Sequence, residues 1–285
     1  MVNGAVFIDK PSGITSMQAL QRVKRLFRVK AGHTGTLDPV ASGLLIILLG
    51  QSTRFSELLM RLDKVYLVDA ILGKRTDTFD SEGNIIEMRE VNLTCQQVQA
   101  LLENFTGERL QKPPPFSAKR VDGERAYKLA RAGLKFELKE SKIFIKKAQL
   151  INCTLPLVKI LFEVSSGTYI RSLVDELGQI LGCGAYVAGL RRLEIGPFSL
   201  SDAVKLEELS QEHIQKPDRV LCFLPEIRLS RDEARKISSG SFLHYKYNLS
   251  SGFYRLYTQE SFIGIGYLES GQLRPHRLLP DVKSR

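Results

Sequence analysis

Short apolar runs separated by glycine, proline and other turn residues make up most of the chain. Runs rich in aliphatic and aromatic residues that end at such positions predict strands, and apolar positions repeated every three or four residues predict helices. The pattern predicts strands at residues 5–8, 44–49, 64–72, 143–153, 157–164 and 187–195, and helices at residues 17–27, 95–105 and 126–132 and around Asp175. The run at 44–49 is apolar throughout, so we expect that strand to be buried.

The pattern changes after Pro225. One short helix is predicted around residues 230–238, and short β-prone segments separated by glycines follow it. We therefore divide the chain into a large domain at residues 1–225 and a small β-rich domain at residues 226–285. Because strands and helices are mixed without strict βαβ alternation, the sequence favours an α+β fold over a doubly wound sheet.

Composition indicates a folded globular protein with a basic surface. The 285 residues are 43% hydrophobic and 25% charged, which is ordinary for a globular chain. Lys and Arg exceed Asp and Glu by 41 to 31, a formal net charge of +10, and basic residues cluster at 22–30 and 112–131. Such an excess attracts polyanions, so nucleic acid becomes the leading partner, although charge alone leaves open a basic protein without such a ligand.

The cysteines at positions 95, 153, 183 and 222 lie far apart, with no paired Cys or His spacing. This spacing indicates neither a zinc site nor a disulfide framework, and we expect reduced thiols in a cytoplasmic protein. The first ten residues lack the features of a signal peptide. The longest apolar run, at 44–49, is far below the roughly 20 residues of a membrane span.

One loop concentrates the candidate chemistry. The stretch GHTGTLDPVASG at 32–43 holds three glycines, three hydroxyls, His33 and the carboxylate of Asp38. Asp followed by Pro is also a frequent helix start, which is the structural alternative for Asp38 and Pro39. The sequence has no P-loop, HExxH, GxSxG or dinucleotide-binding fingerprint, so the chemistry must depend on few residues.

The string GHTGTLDPVASGLL at 32–45 resembles the catalytic motif of the TruB-type tRNA pseudouridine synthases, which isomerise the uridine at position 55 in the T loop of tRNA. Further blocks agree with this family in order and spacing: DKPSG at 9–13, KVY at 64–66, TDT at 76–78 with Asp80 and Gly83, PPFSAK at 114–119 with RAY at 125–127, GTYIRSL at 167–173 and LRR at 190–192. The resemblance spans residues 9–192. It implies a mixed, mainly antiparallel sheet with flanking helices, and a C-terminal domain resembling the PUA domain.

The resemblance implies a role for each matching residue near the target uridine. Asp38 corresponds to the family's essential aspartate, which acts while the N1–C1′ bond breaks and C5 bonds to C1′. Arg171 corresponds to the arginine that pairs with it, and Tyr169 lies beside the target nucleotide. Tyr66 corresponds to a tyrosine that packs against the base and is a candidate proton acceptor, and Leu190 lines the pocket. No cofactor or metal is implied, and the order of bond making stays open.

Other matching residues are implied to hold the loop or the RNA. Lys10 supports the catalytic loop, and His33 fills the space that the extracted base leaves. The remaining predicted RNA contacts are Thr36, Arg75, Asp77, Lys119, Arg120, Arg125 and Tyr127. The partner is therefore tRNA, through its T stem-loop and, by the C-terminal domain, its acceptor stem, and we expect a monomer.

Three rival hypotheses remain. A tRNA-binding chaperone would fold tRNA through the same basic surface without turnover. A hydrolytic, glycosidase-like enzyme would need a second acid, and the matched blocks offer only Asp77, which we expect to be distant. A related synthase acting on ribosomal RNA usually carries a longer lysine-rich tail than residues 281–285.

Overall fold

The computed structural model describes residues 2–117, 119–245, 249–259 and 261–279. The short tail at 281–285 therefore lies outside the described residues. The strands, in chain order, are β1 (Gly4–Lys10), β2 (Ala31–His33), β3 (Ala41–Leu49), β4 (Lys64–Leu72), β5 (Lys74–Thr76), β6 (Ile85–Met88), β7 (Gly107–Gln111), β8 (Arg120–Val121), β9 (Glu124–Arg125), β10 (Ser141–Thr154), β11 (Leu157–Val164), β12 (Ala185–Ile195), β13 (Phe198–Ser199), β14 (Val204–Lys205), β15 (Glu226–Leu229), β16 (Leu243–His244), β17 (Gly252–Thr258), β18 (Ser261–Glu269) and β19 (Gln272–Leu278).

The helices are short. They are α1 (Ser16–Phe27), α2 (Ser56–Met60), α3 (Cys95–Glu103), α4 (Ala126–Arg131), α5 (Ile170–Ile180) and α6 (Arg231–Ser238), with single 3-10 turns at Gly50–Phe55, Leu200–Asp202, Gln211–His213 and Arg219–Leu221. Within the described ranges, none of these helices is long and apolar enough to cross a bilayer.

One large mixed sheet carries the first two-thirds of the chain. Its strand order is β14-β1-β3-β12-β4-β11-β10-β7, with β2 paired to β3 and β13 paired to β12. The β1–β14 and β3–β12 pairs are parallel, and the other pairs are antiparallel. The predicted α+β fold with a mixed, mainly antiparallel sheet is therefore confirmed.

Strand β3 is buried on both faces. Leu45, Ile47 and Leu49 pack into the core cluster beneath α1 and α5, whereas Leu44, Ile46 and Leu48 pack into a second cluster with α2. A strand covered on both faces needs apolar side chains at every position, which explains the unbroken run in the sequence. The Asp38 loop, between β2 and β3, is therefore joined to a strand that is buried on both faces.

Helix α1 begins beside that loop. Thr15 caps it by accepting a hydrogen bond from the Gln18 N–H, and Gln18 reaches back to the Thr15 N–H in a capping box. Ser16 Oγ donates to the Leu37 carbonyl and accepts from the Leu37 N–H, at 2.9 and 2.8 Å. The predicted start of the helix thus also fixes the residue that precedes Asp38.

The C-terminal part of the chain forms its own sheet, in the order β15-β17-β18-β19-β16. Helix α6 packs on it, capped by Ser230. Ile265 of this sheet also joins the cluster behind β3, and Arg54 donates to the Leu278 carbonyl at 2.9 Å. A β-rich C-terminal domain is confirmed, while the boundary at residues 225 and 226 stays a prediction.

The expectation of four reduced thiols was wrong for two of them. Cys95, the first residue of α3, forms a disulfide with Cys153 near the end of β10. Cys183 is a buried free thiol and Cys222 an exposed one. The pairing arises because α3 packs against β10. A sequence separation of 58 residues gives no sign of that contact.

Candidate active site

Asp38 lies in the loop between β2 and β3, so it does not begin a helix. The loop is held on both sides of this residue. Ser16 fixes Leu37, and the Gly13 N–H donates to the Pro39 carbonyl at 2.8 Å. The Ala41 N–H closes a turn onto the Asp38 carbonyl at 3.0 Å. A loop with its backbone groups paired in this way presents its carboxylate in a defined position.

Arg171, in the first turn of α5, contacts Asp38 directly. Its Nε lies 3.0 Å from Asp38 Oδ2, and its side chain is only 6% exposed, against 35% for Asp38. The same guanidinium donates to the carbonyls of Thr78 and Phe116, at 2.9 and 3.0 Å. The two residues that the resemblance pairs are therefore in contact, although 133 positions separate Asp38 from Arg171 (171 − 38).

A second carboxylate, Asp80, binds the other side of Arg171. Its Oδ2 lies 3.1 Å from an Arg171 terminal nitrogen, and its side chain is 3% exposed. Its Oδ1 accepts from Thr78 Oγ and from the Glu82 N–H, at 2.6 and 3.0 Å. The expectation that no nearer acid than Asp77 lies at the site was wrong. Because both oxygens of Asp80 are occupied and buried, it serves as a fixed counter-charge rather than a second reacting acid.

The surroundings of Asp38 act on its pKa in opposite directions. Burial raises the pKa of Asp38, the Arg171 guanidinium lowers it and the Asp80 carboxylate raises it again. Lys10, which is fully buried, also lowers it. Burial in turn lowers the pKa of Lys10 to about 8, although the Asp38 carboxylate opposes this shift. The Lys10 ammonium donates to the carbonyls of Pro11 and Ile14, so it fixes the turn beside the catalytic loop.

The two predicted tyrosines lie on different elements of the fold. Tyr169 immediately precedes α5, and its pKa is raised by burial and by the nearby Asp38 carboxylate. Tyr66 is buried on β4, opposite Arg192 of β12. It shares an apolar cluster with Leu190, which pairs with Ala41 at the start of β3. Leu190 therefore lies on the strand next to β3, and Tyr66 lies one strand further along the sheet, on β4.

Arg192 was part of a matched block, but sequence reasoning gave it no role. Its side chain is fully buried. It donates to the Leu44 carbonyl at 2.8 Å and to the Gly35 carbonyl at 3.1 Å. Arg192 thereby connects β3 to the loop residue Gly35. Only burial, which a single sequence does not display, separates it from Arg191, which is 40% exposed and pairs with Asp9.

Three predicted RNA contacts near the loop have different settings. Thr36 is exposed, whereas His33 is half-buried, and burial together with Arg192 lowers the pKa of its imidazole. Among the described residues, His33 Nδ1 has no hydrogen-bond partner. Asp77 accepts from the Asn84 N–H at 2.9 Å, so its carboxylate also closes the turn that carries Asp80.

The remaining predicted contacts lie on the segment between β7 and β10. Lys119, Arg120 and Arg125 are exposed, and Tyr127 is half-buried on α4. The Tyr127 N–H donates to the Ser117 carbonyl at 3.1 Å. The structure does not bring these residues into contact with Asp38. Their segment starts, however, at the Phe116 carbonyl that Arg171 binds.

A cavity of about 590 Å³ adjoins the catalytic loop. Its lining includes Val40 and Ser42, which follow Asp38 in the chain, Leu190 of β12, and Ser81 and Glu82, which follow Asp80. Asp38 itself is not part of the lining. In the described part of the chain, no group of three or more His, Cys, Asp or Glu side chains could hold a metal ion.

This arrangement is suited to reactions that need one positioned carboxylate. Asp38 is about one-third exposed, and Arg171 favours its ionised form. An ionised carboxylate in a desolvated site is a nucleophile, a proton acceptor or an electrostatic partner for a developing cation. The buried cations behind it keep that charge from being isolated.

Models of one protein family cover nearly the whole chain. The model "TruB family pseudouridylate synthase (N terminal domain)" matches residues 23–170. The model "tRNA pseudouridylate synthase B C-terminal domain" matches residues 171–223, and "Pseudouridine synthase II TruB, C-terminal" matches residues 225–279.

Curated relatives agree over the full length. The tRNA pseudouridine synthase B of Aquifex aeolicus (strain VF5) is 45% identical over 287 aligned positions, covering 98% of this chain and 100% of the relative. The enzyme of the same name from Azoarcus sp. (strain BH72) is 40% identical, covering 98% and 95%. That from Haemophilus influenzae (strain PittEE) is 38% identical, with the same coverage.

Solved structures share the fold at low sequence identity. "Structure of H/ACA RNP bound to a substrate RNA containing 2'-deoxyuridine" matches with a TM-score of 0.74 at 20% identity, covering 99% of this chain and 86% of that one. "Crystal structure of the archaeal box H/ACA sRNP Nop10-Cbf5 complex" matches with a TM-score of 0.74 at 22% identity, covering 99% and 88%. At such identities the likeness concerns the fold alone.

Proposed function

Because the chain belongs to the TruB family of tRNA pseudouridine synthases, we propose that it isomerises the uridine at position 55 in the T loop of tRNA, with Asp38 as the catalytic carboxylate. The chain is an isomerase that forms pseudouridine in tRNA. Modification at position 55, the roles of the individual site residues and the flipping of the target base are proposed here in addition. The observation that carries it is the contact of Asp38 with the buried Arg171.

In the proposed reaction the N1–C1′ bond of the uridine breaks, the base turns, and C5 bonds to C1′. The C5 proton is released and N1 is protonated, so atoms and charge balance without an added reactant. Positive charge develops on the ribose as the bond breaks. The ionised Asp38 carboxylate then either bonds to C1′ or takes a proton. Arg171 contacts that carboxylate, and the charges of Arg171 and Lys10 lower its pKa against the raising effect of burial.

The base must leave its stack to reach Asp38. Extraction of a base costs a few kcal/mol, and stacking on an aromatic side chain returns about 1–3 kcal/mol. We assign the stacking partner of the extracted base to Tyr66, and the filling of the vacated space to His33. Tyr169 and Leu190 complete the walls, since both adjoin the Asp38 loop.

The basic segment between β7 and β10 supplies the proposed grip on the RNA. Lys119, Arg120 and Arg125 point their charges to solvent and are suited to backbone phosphates, which position a nucleic acid without reading its sequence. Thr36 and Asp77 lie closer to the loop and would contact the target arm. The C-terminal domain would hold the acceptor stem. A monomer in the cytoplasm, where tRNA is found, completes the proposal.

Replacing Asp38 tests this function. We expect Asp38→Asn to keep the tRNA dissociation constant and to abolish tritium release from tRNA labelled at C5 of uridine, because the amide has no negative charge. In wild-type reactions, the positions of pseudouridine in tRNA are mapped by carbodiimide-based sequencing. Pseudouridine should be found at position 55. Turnover by Asp38→Asn, or modification elsewhere in tRNA, would contradict the proposal.

A tRNA-folding activity is a second function that the exposed basic segment favours. Opening the tRNA elbow is required for base extraction, so the two functions are compatible. Asp38→Asn separates them, since refolding of misfolded tRNA should survive in this variant while tritium release is lost.

A further inference from the structure

Helix α5 begins without a side-chain cap of its own. Tyr169 occupies the N-cap position, and its side chain makes no capping hydrogen bond. Helix starts leave several N–H groups without intrahelical partners, so an uncapped start is poorly held unless another element supplies the bonds. The position matters here because Arg171 follows two residues later.

Gln111, the last residue of β7, holds this position from outside the helix. Its Oε1 accepts from the Tyr169 N–H at 2.8 Å, and its Nε2 donates to the Tyr169 carbonyl at 3.0 Å. The side chain is buried, with 3% of the residue exposed. The Gln111 amide therefore hydrogen-bonds both backbone polar groups of Tyr169.

The residues after Gln111 continue this connection. Ser172 Oγ donates to the Lys112 carbonyl at 3.0 Å, and Arg171 donates to the Phe116 carbonyl at 3.0 Å. Strand β7 lies at the edge of the sheet, where β10 is its one neighbour among the described strands. The first turn of α5 is thus held by hydrogen bonds to the edge strand β7 and the residues after it. Gln111 contributes two of these hydrogen bonds.

We propose that Gln111 is a positioning residue for pseudouridine formation: its amide fixes the Tyr169 backbone and so aims the Tyr169 ring and the Arg171 guanidinium at Asp38. This inference rests on the proposed function, because it assigns Gln111 a role through residues placed in that reaction. The Gln111 side chain bonds the Tyr169 backbone and not Asp38. Its effect is carried by the start of α5.

The pairing requires one donor and one acceptor on the same side chain. Glutamine supplies both, and so does a protonated glutamic acid. An ionised glutamate supplies two acceptors, one of which would face the Tyr169 carbonyl at hydrogen-bond distance. Gln111→Glu is therefore expected to restore the grip only when it is protonated. Burial beside a carbonyl raises the pKa of a carboxyl group, which brings this transition toward neutral pH.

The experiment compares Gln111→Glu with the wild type at each pH, from about pH 5.5 to pH 8.5. We expect the ratio of variant to wild-type kcat to be about tenfold to hundredfold below one at the alkaline end, because small misplacements of reacting groups have effects of this size. The ratio should rise toward one on acidification, while the dissociation constant for tRNA stays within twofold of wild type. Dividing the kcat of the variant by that of the wild type at each pH cancels the effect of Asp38 titration, which both proteins share.

Matched variants separate position from stability. Gln149→Glu makes the same change at an exposed site on β10 and should give a flat ratio near one. Gln111→Met cannot form either hydrogen bond and should give a low ratio at every pH. Gln111→Asn keeps the amide but shortens its reach, so it should lower kcat even where Gln111→Glu is too unstable to assay. Thermal unfolding at each pH shows which samples are folded.

A flat ratio for folded Gln111→Glu would overturn the inference, and so would wild-type kcat in Gln111→Asn. A rise in the tRNA dissociation constant with unchanged kcat would also overturn it. If the wild type itself fails to modify position 55, the proposed function fails instead. An active wild type with unaffected Gln111 variants leaves that function intact and removes only the role of Gln111.

Discussion

Arg171 shares one guanidinium between two carboxylates with different surroundings. Asp80 is almost fully buried and has further hydrogen bonds from the turn that carries it, whereas Asp38 is about one-third exposed. Ionised partners make stronger hydrogen bonds than neutral ones. Asp80 therefore fixes the arginine, and the arginine then offers its Nε edge to Asp38. The Asp80 carboxylate also raises the pKa of Asp38.

The pH dependence of the reaction tests this coupling. In Asp80→Asn the carboxylate that raises the pKa of Asp38 is gone, and Arg171 has one competitor fewer. The pKa of Asp38 should fall, so the acid limb of kcat/KM, which follows ionisation of the free enzyme, should move to lower pH. We also expect kcat to fall by about tenfold to a hundredfold at its plateau, because Arg171 loses a charge-assisted anchor.

Asp77→Asn is the matched control, since it removes the same charge from the same turn but does not contact Arg171. Its acid limb should stay where the wild type has it. An unmoved limb in Asp80→Asn, or equal shifts in both variants, would show that the contact with Arg171 does not set the pKa of Asp38.

Single residues of the site were predictable from the sequence to different degrees. Asp38 and Arg171 stood out because the family resemblance paired them, and the structure places them in contact. Asp80 was in a matched block with Asp77, yet two acids three positions apart in a turn give no sign of which one faces inward. Gln111 carried no signal at all, because its partner is a backbone group 58 residues away.

Strands β3 and β12 are in close contact at a glycine. Gly43 has a φ of +105°, and a Cβ at this position would lie 2.3 Å from the Arg192 carbonyl oxygen and 2.7 Å from its nitrogen. Neither atom can move without breaking the parallel pairing of the two strands. This contact holds the LRR block against the strand that follows the catalytic loop.

Gly43→Ala should therefore destabilise the protein strongly. Strained backbone at one residue costs about 1–3 kcal/mol, and overpacking adds about 1–3 kcal/mol more. Gly13→Ala is the control, because its φ of +84° carries the backbone strain while no atom lies within 4 Å of the added methyl group. Urea unfolding of both variants should show the larger loss for Gly43→Ala. Equal losses would mean that the approach of β12 contributes nothing.

Elements with a local signal were predictable, and their arrangement was not. The predicted strand at 64–72 matches β4, and the predicted helix at 95–105 matches α3, which Thr94 caps. By contrast β7 was not predicted, because GERLQ has no β-branched or aromatic residue and owes its conformation to pairing with β10. The strand order depends on contacts between distant segments, which periodicity along the chain does not contain.

At the scale of the whole molecule, the two parts of the chain share one buried cluster. Phe55 and Leu59 of the larger part pack in the same cluster as Ile265 of the C-terminal sheet. The change of pattern after Pro225 predicted two regions but not this contact. It also gave no sign of the disulfide between Cys95 and Cys153. Disulfides are uncommon in cytoplasmic proteins, so this bond was not expected in a protein that is proposed to act on tRNA in the cytoplasm.

The disulfide closes a covalent ring that contains the exposed basic segment at 119–140, since this segment lies between Cys95 and Cys153. A protease that severs the backbone once within the segment would therefore not release a fragment. The nicked chain should migrate as one species on a denaturing gel without reductant and as two after thiol treatment, whereas Cys95→Ser should give two in both lanes. An oxidised enzyme could thus lose the continuity of its RNA-gripping segment and still remain a single molecule.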